Sequence, residues 1–203
     1  MASYIWDLDG TLLDSYPMIT AAVMHMAADA GIHDAAEDVL RTMKEGTTFA
    51  YISGVAERTG LSFQELREKY RTYTHALDEE ITLMDGAKEA LERLQKTGAE
   101  HYVFTHRGTS SEPILERLGI IGYFREIVTA AAGFPGKPSG EAVRYLVGKY
   151  GMRPEETWYV GDRPIDVYCA ADAGVRSILL LPEDACIPPT GQEDRIVRSL
   201  WEI

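Results

Sequence analysis

Short apolar runs at residues 4–8, 101–104, 126–129, 158–160 and 177–181 limit what this chain can fold into, because helical patterns fill the intervals between the later ones. In "GAKEALERLQKTG" the side chains of Ala87, Leu91 and Leu94 share one face, and Gly98 closes the segment. "SSEPILERLG" carries Pro113 in its opening turn, and "SGEAVRYLVGKYG" and "RPIDVYCAADAG" continue the pattern. Runs of strand length separated by helices predict a mostly parallel sheet covered on both faces, an α/β Rossmann-like doubly wound fold. In such sheets ligands gather at the carboxyl ends of the strands, near the point where strand order reverses.

Residues 15–83 break the alternation. No strand pattern occurs there; "MITAAVMHMAADAG", "AAEDVLRTMK", "FAYISGVAERTG" and "SFQELREKYRTYTHAL" all have helical spacing, the last opened by a capping box from Ser62 to Glu65. We therefore expect an inserted all-α cap domain, 15–83, hinged over the ligand end of a core formed by 1–14 and 84–203. With 203 residues, 45% hydrophobic and 26% charged, the chain is long and apolar enough for one sizeable core and a smaller domain. A formal charge of −12 with no dense Lys/Arg run argues against nucleic acid and against anionic membranes. No apolar run approaches the roughly 18 to 20 residues that cross a bilayer, and the first residues do not run basic then apolar, so the expected location is cytoplasmic. Cys169 and Cys186 have neither C-x-x-C spacing nor a histidine cluster and read as free thiols.

The chemistry collects at the predicted strand ends. The first run ends in "DLDGT", the second in "FTHRG", the loop after the third holds "GFPGKPSG", and the fourth ends in "VGDRPID". Two carboxylates one residue apart at the end of a buried strand repel each other and resist desolvation, so a cation is expected beside them. Asp7 is the candidate nucleophile, attacking phosphorus to give an aspartyl-phosphate that water hydrolyses. Asp9, on the same side of the strand end, suits general acid and base work, with its backbone carbonyl directed at a metal. Asp162 adds a hard oxygen ligand and Asp166, a helical turn later, can orient a coordinated water; an all-oxygen set of few carboxylates is typical of Mg²⁺. Lys137 supplies positive charge for the transferring group and Thr105 a hydroxyl donor. Gly10 turns the chain away directly after the two aspartates.

Taken in order, "DLDGTLLD", Thr105, Lys137-Pro138 and "GDRPID" resemble the four motifs of the haloacid dehalogenase superfamily, in particular its phosphatases with a helical cap after the first motif, such as the phosphoglycolate phosphatases. The resemblance implies Asp7 as nucleophile and Asp9 as acid/base and metal ligand. It implies phosphate binding by Thr105 and Lys137, and Mg²⁺ held by Asp162 with Asp166 in support. His106 stands where the family usually has asparagine and is grouped with the phosphate-binding residues. The second aspartate, Asp9, separates the chain from true dehalogenases and from phosphonoacetaldehyde hydrolases. Ile19 stands where the hexose-phosphate mutases carry histidine, and no arginine occurs near Thr48 or Phe49.

The expected activity is hydrolysis of a small phosphorylated metabolite by a monomer or homodimer. A mutase or pyrophosphatase of the same fold, and a pocket protein that binds a phosphorylated ligand without turnover, are the alternatives. Lys44, Thr47 and Thr48 in "KEGTTF" either read the remote end of the substrate or form an ordinary helix connection. Arg107 is either a further phosphate contact or the partner of a carboxylate.

Overall fold

The computed structural model describes residues 2–203. It divides into two compact units. One runs to Asp14 and takes in Thr82–Ala185 and Pro189–Ile203; the other is Ser15–Ile81 with Cys186–Pro188.

The elements in chain order begin with β1 (Ser3–Trp6) and the short β2 (Leu13–Asp14). Helices α1 (Tyr16–Asp29), α2 (Ala36–Glu45), α3 (Thr48–Thr59) and α4 (Phe63–Leu77) follow without an intervening strand. Then come β3 (Thr82–Leu83), α5 (Ala87–Lys96), β4 (Glu100–Phe104), α6 (Ser111–Arg117) and β5 (Phe124–Val128). The chain finishes with α7 (Glu141–Tyr150), β6 (Thr157–Gly161), α8 (Pro164–Ala173), β7 (Arg176–Leu180) and β8 (Arg195–Val197). Among the described residues no helix is long and apolar enough to cross a membrane.

Six strands form one sheet in the order β5-β4-β1-β6-β7-β8, and every pairing in it is parallel. The five apolar runs of the sequence are five of these strands. The sixth, β8, escapes a search for apolar runs because it is three residues long and exposes Arg195 and Ile196 at the sheet edge. β2 and β3 also escape it, each being two residues paired antiparallel across the inserted segment, Leu13 with Leu83 and Asp14 with Thr82. The chain consequently leaves the sheet unit after Asp14 and re-enters it at Thr82, two residues earlier than residue 84.

Apolar side chains explain both units. In the sheet unit Ile5, Tyr102, Phe104, Val143, Leu146 and Tyr159 are packed in one buried cluster, and α5 buries the expected face, Ala87, Leu91 and Leu94, together with Ala90. In the helical unit Val23, Met26, Val39, Met43, Ile52 and Leu66 meet at the centre. Fully burying one such side chain is worth about 1.5 to 3 kcal/mol. The expected capping box at α4 is only half realised: Ser62 is the N-cap residue with extended backbone, but its side chain makes no cap hydrogen bond. The side-chain cap in this unit is at α3, where Thr47 Oγ1 accepts from the Ala50 N–H at 3.0 Å.

One buried polar group deep in the sheet unit has a measurable consequence. His101 on β4 accepts from Trp6 Nε1–H at its Nδ1, 3.1 Å away, and its Nε2 lies 3.2 Å from the Leu91 carbonyl. Those partners fix the neutral tautomer with the proton on Nε2. Burial pushes its pKa down from 6.5 to about 4, against a smaller upward pull from the Leu91 carbonyl. Between these values the unfolded chain binds a proton that the folded chain refuses. Stability is therefore complete above the unfolded value and falls as pH drops through the window, by on the order of 3 kcal/mol. Urea-unfolding midpoints should be lower near pH 4.5 than near pH 7.5, and His101→Gln should narrow the gap; a flat wild-type profile would contradict this account.

Candidate active site

The turn after β1 begins the site. Asp7 N–H donates to the Val160 carbonyl at 2.9 Å, extending the ladder between β1 and β6 by one bond and placing the Asp7 side chain at the sheet's carboxyl end. Gly10 then adopts φ +81°, a left-handed conformation that suits glycine, and its N–H donates to Leu13 O at 2.8 Å. That reversal leaves Asp7 and Asp9 at the strand end while the chain turns back into β2.

Three further segments converge on Asp7. Thr105 follows β4 directly, with its N–H on Val128 O at 3.0 Å. Asp162 follows β6, and α8 starts two residues later with Pro164 in its first turn, where the missing N–H costs no helix bond. Lys137 comes from the loop between β5 and α7. Its Nζ lies 2.9 Å from Asp7 Oδ1 and 2.6 Å from Asp166 Oδ1, and its side chain is 0% exposed. The rings of Phe104 and Tyr159 stand 5.9 and 5.6 Å from the same ammonium. Burial works against the charged lysine, but the two carboxylates outweigh it and hold its pKa above the ordinary value.

Asp166 serves two partners at once. Its Oδ1 receives the Lys137 ammonium, and its Oδ2 accepts from Arg163 N–H at 3.0 Å, which caps α8. This arrangement depends on Gly161: a Cβ there would sit 2.3 Å from Asp166 Cγ. Gly161→Ala is expected to drive the Asp166 side chain out of place, detaching Lys137 from one of its two carboxylates. Turnover should fall by roughly 10²-fold, the scale of a 1 Å misplacement, while the overall fold persists; wild-type kcat in that variant would disprove the dependence.

The remaining residues named from the sequence are placed as follows. Thr105 is buried, and its Oγ1 accepts from Arg107 N–H at 3.1 Å, so the hydroxyl proton is the part left to donate. His106 does not offer Nε2 to a ligand, since that atom accepts the Lys137 N–H at 2.7 Å and so fixes the lysine loop. Burial first, then Lys137 and Arg163, push the His106 pKa down to about 4, leaving a neutral ring able to accept that bond. Arg107 partners a carboxylate, Asp9, with Nη2 to Oδ1 at 2.7 Å. In the helical unit Lys44 Nζ lies 4.5 Å from the Tyr16 ring centroid, Thr47 caps α3, and Thr48 is its first residue.

Two contributors were not singled out from the sequence. Arg163 Nη2 lies 3.5 Å from Asp7 Oδ2, and Thr11 Oγ1 donates to Asp162 Oδ1 at 3.3 Å. Arg163 lies in "GDRPID" next to Asp162 and Thr11 in "DLDGT" next to the two aspartates, so position in those strings is the local signal for both.

A divalent cation fits this donor set. Asp7, Asp162 and Asp166 present carboxylate oxygens within 4.8 Å of one another, all three residues being buried. Both Asp7 oxygens are shielded from water, with Lys137 Nζ 2.9 Å from Oδ1 and Arg163 Nη2 3.5 Å from Oδ2. Three buried carboxylates so close together repel one another and call for positive charge, and hard oxygen ligands of this kind suit Mg²⁺. The Asp9 carboxylate stands outside that trio.

Comparison with known proteins agrees with the geometry. Residues 4–180 match the family model for haloacid dehalogenase-like hydrolases. The chain belongs to that family. Among relatives of this hydrolase, a phosphoglycolate phosphatase of Pectobacterium atrosepticum is 32% identical, the match covering 85% of this chain and 77% of the relative. An N-acetylmuramic acid 6-phosphate phosphatase of Pseudomonas aeruginosa is 28% identical over 87% of this chain and 80% of its own length. The crystal structure of a predicted phosphoglycolate phosphatase from Haemophilus somnus superposes with a TM-score of 0.83 at 24% identity, covering 98% of this chain and 95% of that one, a likeness of fold.

Proposed function

We propose that this hydrolase is a Mg²⁺-dependent phosphomonoesterase acting on a small phosphorylated metabolite through an aspartyl-phosphate, with phosphoglycolate or a compound like it as substrate. The observation that carries the reading is the Asp7 carboxylate, buried at the strand end against a desolvated ammonium 2.9 Å away and close to two further carboxylates. A carboxylate shielded from water and held beside positive charge can meet an anionic phosphoryl group and attack it.

In the first step an Asp7 oxygen forms a bond to phosphorus while the bond from phosphorus to the ester oxygen breaks. The leaving oxygen takes the proton of the Asp9 carboxyl and departs as an alcohol. In the second step a water oxygen attacks phosphorus, Asp9 accepts the water's proton, and the bond to Asp7 breaks with its electron pair returning to the carboxylate. Phosphate leaves and Asp9 is again protonated. Lys137, with Thr105 donating its hydroxyl proton, stabilises the charge on the transferring oxygens, and Arg163 adds a second positive group beside Asp7. Asp7, Asp162, the Asp9 carbonyl and Asp166, directly or through water, are the groups assigned to hold Mg²⁺, which when bound offsets the repulsion between the anionic nucleophile and anionic ester. The helical unit around Ser15–Ile81 is assigned the choice of what the phosphate is attached to, and Lys44, Thr47 and Thr48 are its candidate contacts.

The direct test is release of inorganic phosphate from p-nitrophenyl phosphate and 2-phosphoglycolate, with Mg²⁺ and with EDTA. The reading requires release that depends on the metal and is faster for the metabolite. Binding of these esters with no release by wild type would replace it with the non-catalytic alternative.

A further inference from the structure

Arg107 and Asp9 form a close, largely buried pair. Arg107 Nε lies 3.0 Å from Asp9 Oδ1 and 3.3 Å from Oδ2, and Nη2 lies 2.7 Å from Oδ1. The two side chains are 9% and 18% exposed, so water competes little for either. The arginine is itself anchored. Its Nη1 donates to Ser110 Oγ at 3.3 Å, its N–H donates to Thr105 Oγ1 at 3.1 Å, and its carbonyl accepts from Ala130 N–H at 3.1 Å.

An aspartate on a turn has several staggered side-chain states available, and moving between them displaces the carboxylate oxygens by more than 1 Å. A planar guanidinium anchored at its far end removes that freedom, because its two N–H vectors match one orientation of the acceptor. The donors also fall unevenly. From Arg107, Oδ1 receives both close contacts and Oδ2 the longer one.

We infer that Arg107 is a positioning residue for proton transfer: it fixes the orientation in which the Asp9 carboxyl exchanges a proton with the leaving group and then with water. The inference rests on the reading of Asp9 as acid and base. It assigns the cation two residues after Thr105 to the enzyme's own carboxylate instead of to the substrate. Because the Arg107 N–H is also bonded to Thr105 Oγ1, one residue sets both where the phosphate-binding hydroxyl lies and where the proton is delivered.

The test compares kcat/KM, which reports transfer to Asp7 alone, for an alkyl phosphate and for p-nitrophenyl phosphate. The alkoxide needs a proton to leave; the nitrophenolate needs little. In Arg107→Lys, which keeps the charge but not the fork, the alkyl ester should lose roughly 10²-fold and the aryl ester less than about 10-fold. Inhibition by inorganic phosphate should be unchanged. In an Asp9→Asn background the same change should produce no further loss on the alkyl ester. Arg107→Ala should reproduce the pattern, and Arg107→Lys carries the test if the alanine variant loses its fold by circular dichroism. Equal losses on the two esters, wild-type rates in Arg107→Lys, or weakened phosphate inhibition would each overturn the inference and make Arg107 structural, dispensable or a substrate contact respectively. A wild type inert toward both esters would overturn the phosphatase reading and this inference with it, an outcome visible before any variant is made.

Discussion

Asp7→Asn is expected to abolish turnover, with a fall in kcat of roughly 10⁴-fold or more, the scale on which removing a nucleophile acts. The amide has almost the same shape as the carboxylate, and it removes one negative charge from a pocket where Asp162 and Asp166 also present oxygens within 4.8 Å. The variant should therefore fold and melt close to wild type. No phosphoenzyme should form when it is mixed with substrate and quenched in acid, whereas wild type should trap label on Asp7. Turnover near wild type in Asp7→Asn would eliminate this residue as nucleophile, whatever the rest of the site does.

Lys137→Met is expected to have the largest effect on stability. The ammonium is fully buried between Asp7 and Asp166, and methionine fills a similar volume without charge. Removing one member of a buried ionic cluster costs about 3 to 5 kcal/mol, because the partners stay behind without compensation. Asp166 would keep the Arg163 N–H, but Asp7 would keep only the Arg163 guanidinium, 3.5 Å from Oδ2. Urea unfolding in EDTA should show the loss as a lower midpoint with an unchanged slope. Added Mg²⁺ should restore part of it, since a cation bound by the native state alone stabilises that state. Lys137→Met/Asp7→Asn should be more stable than Lys137→Met by itself, because it removes the stranded charge. A single variant as stable as wild type would mean that the lysine is not what compensates these carboxylates.

Both predictions concern residues visible in the sequence, whereas the partner relations that give them their size were not. Asp7, Asp9, Thr105, Lys137 and Asp162 stood out because each follows a short apolar run or lies in the loop after one, a local signal. His106, Arg107 and Arg163 occupied the same strings, but their roles depend on which loops meet. Lys137 N–H reaches His106 across 31 residues of sequence, Arg107 reaches Asp9 across 98, and Thr11 reaches Asp162 across 151. Spacing along a chain carries no information about such pairs.

By itself the sequence determined the alternation of strand and helix, the helical insert after the first strand, and the set of polar residues at strand ends, since side-chain periodicity and turn chemistry act over a few residues. The tertiary structure alone decided the strand order β5-β4-β1-β6-β7-β8, with β1 between β4 and β6, which brings the ends of three separate strands beside one carboxylate. It also decided that Arg107 answers Asp9 and that Asp166 answers both Lys137 and its own helix. The physical reason is that charge pairing is strong only at contact distance and out of water, and both conditions are set by packing between distant segments.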